Sequence, residues 1–199
     1  MDPRFFHSVF VIYFLAFVLI RMAYKRMADR TQGKVDYKEG NLHLGLRLSL
    51  GLMWLGSMIV YAFDPGLFVR ADFVLAAWAQ VVGVGLGAVS LLLLLWVQQA
   101  LGSNFSTTLH IRDEHTLVRH GPYRWVRHPM YTVLFLLIVA WLLLSHNWLI
   151  GGVPLAALVV IVALRLPREE AAMVEKFGHD YREYMRTTGR FLPAFPQPV

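Results

Sequence analysis

Cysteine is absent from this 199-residue chain. That excludes disulfides, thiolate metal sites and a cysteine nucleophile, and leaves the compartment open. Charge is scarce as well, at 16% of residues, where soluble domains run near a quarter. No zinc motif, Walker loop or nucleophile elbow occurs. His110, His115, His120 and His128 follow no recognised metal-ligand spacing, so no metal is expected. His7, His43 and His146 stand isolated and suggest no role.

What fills the chain instead is apolar: 57% hydrophobic residues, in runs of bilayer length. A helix crosses the hydrocarbon core with roughly 20 residues, fewer if flanking groups snorkel. The runs lie at about residues 5–22, 42–63, 73–97, 129–144 and 149–166. The first is followed by RMAYKR with no small-residue cleavage site, so it reads as a span and not a signal peptide. The expected fold is all-α: one integral membrane domain, residues 1–199, forming a bundle of five transmembrane helices. The last two spans are short and joined by Ser145-His146-Asn147-Trp148, as in a tight helical hairpin.

The formal charge of +6 is distributed unevenly. Lysines and arginines crowd the connection between spans one and two, the stretch after span three, and the tail. The opposite connections hold only Asp64, Arg70 and Asp72. The positive-inside bias therefore places the N-terminus outside and the C-terminus in the cytoplasm. Such an excess of cations beside spans serves topology and membrane lipids, not nucleic acid. Gly83, Gly85 and Gly87 fall inside span three and not in a turn after a strand, so Gly83 and Gly87 read as a small-xxx-small packing face. The tail, residues 167–188, reads as an amphipathic surface helix. Met173, Phe177, Tyr181 and Tyr184 share one face, Pro167 sits in the first turn, and Gly178 weakens the middle.

The longest polar interruption in the second half is Leu101 to Tyr131, LGSNFSTTLHIRDEHTLVRHGPYRWVRHPMY. Polar backbone at a bilayer surface must be satisfied by water, protein or ligand, which makes this connection the default functional segment. Its cations and aromatics, Arg124, Arg127, Trp125 and Tyr131, are also ordinary boundary anchors. His128 and Tyr131 flank a proline at a helix start, where free backbone N–H groups could hold a polar ligand. Arg165 and Glu169, four apart across Pro167, read either as a surface ion pair or as a split site for a zwitterionic ligand.

Taken in order, GSNFS, HTLV, GPYRWVRHPMY, REEAAMVEKFGHDYREY and RFLP resemble the isoprenylcysteine carboxyl methyltransferase family. That family belongs to a group of integral-membrane methyltransferases that includes phospholipid N-methyltransferases. The resemblance runs from Gly102 to the C-terminus. It implies S-adenosyl-L-methionine as cofactor, with S-adenosyl-L-homocysteine as product, held between the loop at 98–128 and the tail. His115, Thr116, Leu117, Val118, Tyr123, His128, Pro129, Met130, Tyr131 and Glu169 match its cofactor contacts. Arg165 matches an arginine at the substrate. If the nucleophile is a carboxylate, Arg165 would orient it; if an amine, Glu170 or Glu169 would be the candidate base.

One departure stands out: the family carries an arginine in the helix before GSNF, and LLLLLWVQQAL has none. The prenylcysteine carboxylate therefore does not follow from the resemblance. The expected activity is methyl transfer to a lipophilic or lipidated acceptor that enters from the bilayer. A phospholipid N-methyltransferase, an NADPH-dependent sterol-reductase-like enzyme and a non-catalytic membrane protein are the alternatives. The short, alanine- and leucine-rich chain suggests a prokaryotic plasma membrane.

Overall fold

The computed structural model describes residues 2–32, 41–102 and 116–194, with side chains at 29, 31, 32 and 41–50 left out. Six α-helices carry the architecture: α1 (Pro3–Gln32), α2 (Asn41–Phe63), α3 (Ala77–Leu101), α4 (Pro129–Ser145), α5 (Val153–Phe177) and α6 (His179–Thr187). Short 3-10 turns occupy Pro65–Ala71 and Gly121–Arg124. No strand occurs among the described residues; two isolated bridges join Asp72 to Asn147 and Val126 to Gly189.

α4 lies at the centre. Along α1 the buried residues Phe6, Phe10, Phe14 and Phe17 recur every three or four positions and form one stripe. That stripe meets Trp141 of α4, with the Phe17 ring edge-on at 5.5 Å and Phe14 at 6.2 Å. The expected glycine face of α3 is present, and its two glycines serve different partners. A Cβ on Gly83 would lie 3.0 Å from Leu143 Cβ and 3.3 Å from the Ala140 carbonyl oxygen, so its absence lets α4 approach. A Cβ on Gly87 would collide with the Tyr13 ring of α1. The Tyr13 hydroxyl donates to the Val84 carbonyl at 2.8 Å. Gly85 faces open space.

The hairpin between α4 and α5 is tight, as expected. His146 adopts a left-handed conformation with φ of 39°. The buried Asn147 side chain accepts from Leu149 N and Ile150 N, and donates to the Asp72 carboxylate at 2.6 Å and the Phe68 carbonyl at 2.9 Å. One π-helical turn, Trp148–Gly152, then leads into α5.

The tail departs from expectation. Pro167 does not begin a separate helix; α5 runs through it to Phe177. Proline removes one backbone bond, to the carbonyl four residues back. Across this gap Arg165 Nε donates to Glu169 Oε1 at 2.6 Å, a bond that ties successive turns together. The helix breaks instead at Gly178, whose φ of 55° and ψ of −121° suit only glycine. The face predicted for one helix is thus divided. Met173 and Phe177 are half-buried in α5, while Tyr181 and Tyr184 are buried in α6.

Three helical stretches are long and apolar enough to cross a bilayer: Pro3–Ala28, Ala77–Leu101 and Trp148–Phe177. A fourth arises if Gly51–Phe63 and Pro65–Ala71, bent by 113°, count as one span, and α4 is a shorter apolar helix. Phe63, Val74, Trp78, Leu92 and Leu164 are among the large apolar side chains left exposed. Lipid satisfies such a surface; water would not. The protein is a multi-pass integral membrane protein.

Candidate active site

Two adjacent carboxylates on α5 organise the polar end of the molecule. Successive residues on a helix point about 100° apart, so Glu169 and Glu170 face different neighbours. Glu169 faces α4. Its two oxygens both accept from the Tyr131 hydroxyl at 3.0 Å, and Oε1 also accepts from Arg165 Nε. His128 Nδ1 lies 4.0 Å from Oε2. The Glu169 side chain keeps 20% exposure and Arg165 keeps 26%, so this pair is reachable from outside.

Glu170 is enclosed. Arg127 Nη2 donates to Oε1 at 3.1 Å, Arg190 Nη2 to Oε2 at 2.6 Å, and His128 Nε2 lies 3.3 Å from Oε1. Its side chain is 7% exposed and that of Arg127 8%. Arg127 also donates through Nη1 to the carbonyls of Met185 and Thr188. A buried carboxylate ringed by cations is a structural node; a base for the acceptor would need an open face.

The segment after α6 wraps this node. Backbone N–H groups of Arg127 and His128 donate to the Gly189 and Arg190 carbonyls at 2.8 and 3.0 Å. The Thr132 hydroxyl donates to the Phe191 carbonyl at 2.9 Å. Only glycine fits at 189, because a Cβ there would collide with the Leu192 carbonyl oxygen. Helix α6 is laced to the segment before α4: the Tyr184 hydroxyl donates to the Tyr123 carbonyl, and Arg119 donates to the Asp180 carbonyl while stacking over the Tyr184 ring. Burial pushes the Tyr181 phenol up to about 12, so it stays neutral in the protein. Burial also pushes the His128 imidazole below its usual range, against the pull of Glu169 and Glu170.

The structure therefore brings His128, Tyr131, Arg165, Glu169 and Glu170 together. Pro129 is the buried first residue of α4, and Met130 turns to α1, where Arg21 Nη1 lies 4.0 Å from its sulfur. Leu117 and Val118 are half-buried on the approach to the Gly121–Arg124 turn, Thr116 is exposed, and His115 lies outside the described residues. Arg127 and Arg190 were missed as functional residues. In sequence they are indistinguishable from boundary cations, and only the RFLP phrase, beginning at Arg190, marked their neighbourhood.

These features define a helical membrane protein with a polar site at one end of the bundle. The fold is that of the eukaryotic intramembrane Ras methyltransferase, with a TM-score of 0.62 at 21% identity, covering 97% of this chain and 68% of that one. Residues 83–175 match the model of the isoprenylcysteine carboxyl methyltransferase family. That stretch holds most of α3, all of α4, the connection between them and nearly all of α5.

Among similar proteins, the Xenopus laevis protein-S-isoprenylcysteine O-methyltransferase is 28% identical over 149 residues, which is 73% of this chain and 51% of that protein. A probable protein-S-isoprenylcysteine O-methyltransferase of Oryza sativa subsp. indica is 32% identical over 91 residues, 43% and 44% of the two chains. The human protein-S-isoprenylcysteine O-methyltransferase is 31% identical over 94 residues, 46% and 33%. The chain spans about half or less of the length of these relatives.

Proposed function

We propose that this protein is a membrane methyltransferase that uses S-adenosyl-L-methionine to methylate a carboxylate on a lipophilic or lipidated acceptor. The observation that carries the reading is the convergence of Tyr131, His128 and Arg165 on Glu169, the more exposed of the two adjacent carboxylates. The donor set fits the cofactor. Glu169 is a partly exposed acceptor for an ammonium or for ribose hydroxyls, and His128 and Tyr131 add polar groups on an otherwise apolar wall. His115 through Val118, Tyr123, and His128 through Tyr131 complete the proposed contacts. When bound, the cofactor supplies a methyl group already activated on a sulfonium.

The chain's own task is then alignment. Tyr131 and Arg165 fix the Glu169 carboxylate from two helices, which holds the cofactor end of the site rigid. Arg165 is placed to orient an anionic acceptor group beside it. Glu170 is reassigned from catalysis to structure, because Arg127, Arg190 and His128 surround it. With Glu170 enclosed and Glu169 assigned to the cofactor, the described residues offer no further carboxylate as a base at this site, which favours a carboxylate acceptor, needing none, over a protonated amine, which needs one. Five spans with a cytoplasmic tail, in a prokaryotic plasma membrane, remain the proposed setting. The cofactor would enter from the cytoplasm and the acceptor laterally from lipid.

Calorimetry of the detergent-purified protein with S-adenosyl-L-homocysteine tests the reading, with NADPH in parallel. Saturable binding of the former, lost in Glu169→Ala, is expected. NADPH binding alone would turn the reading to a reductase. Binding of neither by folded protein would leave a non-catalytic role.

A further inference from the structure

The outward face of the seam between α1 and α3 carries side chains that methyl transfer leaves unused. The two helices run in the same direction, since Tyr13 meets Gly87 and, further along both, Ala23, Tyr24, Met27 and Gln99 line one cavity of about 350 Å³. On α3, Leu92, Trp96 and Gln99 recur at helical spacing on one exposed face. On α1, Leu19, Ala23, Met27 and Arg30 do the same. Leu19 and Leu92, each one turn before the cavity, keep 61% and 68% exposure, a surface that lipid satisfies and water would not.

The segment before α4 flanks this face on its other side. A Cβ on Gly121 would stand 3.0 Å from Ala100 Cβ and 3.5 Å from Trp96 Nε1, so the Gly121–Arg124 turn lies directly on the end of α3. The half-exposed Trp125 ring then meets the Trp96 ring edge-on at 5.5 Å, and the exposed Arg124 guanidinium lies 5.6 Å from the centre of the Trp125 ring. Among the described residues no carboxylate pairs with Arg124 or with Arg30. A cation–π contact leaves the charge of Arg124 uncompensated. Indoles at the end of an apolar helix mark the level of the headgroups.

From the bilayer outward the order is aliphatic side chains, a cavity edged by a phenol and an amide, two indoles, and two cations at the rim. That gradient matches an amphiphile with an acyl chain, a polar neck and an anionic head. A snorkelling arginine alone would need neither the cavity nor the indole pair. We propose that this face binds one anionic phospholipid. Its phosphate lies at Arg124, with Arg30 adding to the field; its glycerol esters fill the cavity at Tyr24 and Gln99; and a chain follows Leu19 and Leu92. In the proposed orientation this end faces the cytoplasmic leaflet, the negatively charged one. Arg124 lies three residues before Arg127, so the lipid ties α1 to the segment that leads into Glu170 and His128.

Native mass spectrometry of the detergent-purified full chain tests the site, with palmitoyl-oleoyl phosphatidylglycerol titrated against the phosphatidylcholine of the same chains. The wild type should take up one phosphatidylglycerol, about tenfold more tightly than phosphatidylcholine. Arg124→Gln should weaken that uptake about tenfold. Ala23→Phe, which fills the cavity and keeps every charge, should weaken it as much. Arg182→Gln, which removes an exposed charge from α6, should leave it unchanged. All three positions are exposed, so each variant should fold. Phosphatidylglycerol should raise the melting temperature of the wild type and of Arg182→Gln, and not of the other two. Equal uptake of the two lipids, or equal effects of Arg124→Gln and Arg182→Gln, overturns the proposal. So does an Ala23→Phe protein that binds as the wild type does, since the cavity would then be no part of the site. Displacement of the bound lipid by equimolar glycerol 3-phosphate overturns it too, because a free phosphate would then suffice.

Discussion

Glu169 and Glu170 are adjacent and chemically identical, yet their environments assign them opposite tasks. Glu169→Gln should weaken S-adenosyl-L-homocysteine binding by about tenfold, the scale of one charge-assisted contact, and leave the melting temperature nearly unchanged. Glu170→Gln should do the reverse. It leaves the buried Arg127 charge without a counter-ion, though still bonded to two carbonyls, so unfolding by heat in detergent should show a loss of about 3 kcal/mol, the low end for a broken buried pair. Equal effects of the two substitutions on stability would contradict the division of roles. His128 gives a pH signature. Its folded pKa lies below the ordinary 6.5, so on acidification the unfolded chain takes up the proton first. The stability it contributes is complete above pH 6.5 and declines as pH falls toward the folded value. Melting temperature should be level between pH 8 and 7 and lower at pH 5.5, and His128→Asn should flatten that acid limb. At this scale the HPMY phrase and the tail acid were singled out by the family resemblance, and the structure brings Tyr131 and Glu169 within hydrogen-bond distance. The cage around Glu170 was not, because nothing in a linear chain tells Arg127 and Arg190 from cations that merely face headgroups.

Among the elements, the apolar runs mark only the greasy part of each helix: α4 occupies Pro129–Ser145 against a run at 129–144, but α1 continues to Gln32 and α5 to Phe177, well past runs ending near 22 and 166. The boundary at Pro167 was misread. Proline costs a helix one backbone bond, and α5 continues through Pro167 all the same, with Arg165 bonded to Glu169 across it. Gly178 is the real joint. Replacing it with alanine forces a Cβ into a backbone conformation suited to glycine and should cost about 1–3 kcal/mol, measured by thermal melting. The cost should appear even though a Cβ there meets no neighbour within 4 Å, which separates backbone strain from crowding. The glycine pattern in α3 was legible as a packing face, but its two partners, α4 for Gly83 and the Tyr13 ring for Gly87, depend on tertiary arrangement.

For the whole molecule, charge distribution speaks to orientation and the helices speak to span. Reporter fusions should place a tag after Ala194 and one near Lys34 on the cytoplasmic side, and one near Asp72 outside. A tag near Asp72 on the same side as the other two would overturn five spans with this orientation. The clamp between the segment after α6 and the start of α4 has a temporal meaning too. Synthesis runs from the N-terminus at about 5–20 residues per second, and Arg190 lies 62 positions after His128. For several seconds α4 and its histidine exist without the carbonyls of Gly189 and Arg190 that later tether them. The site is closed by a segment made 62 positions after His128, so a nascent chain or one released before that point would hold its spans in the membrane with the polar site still unassembled.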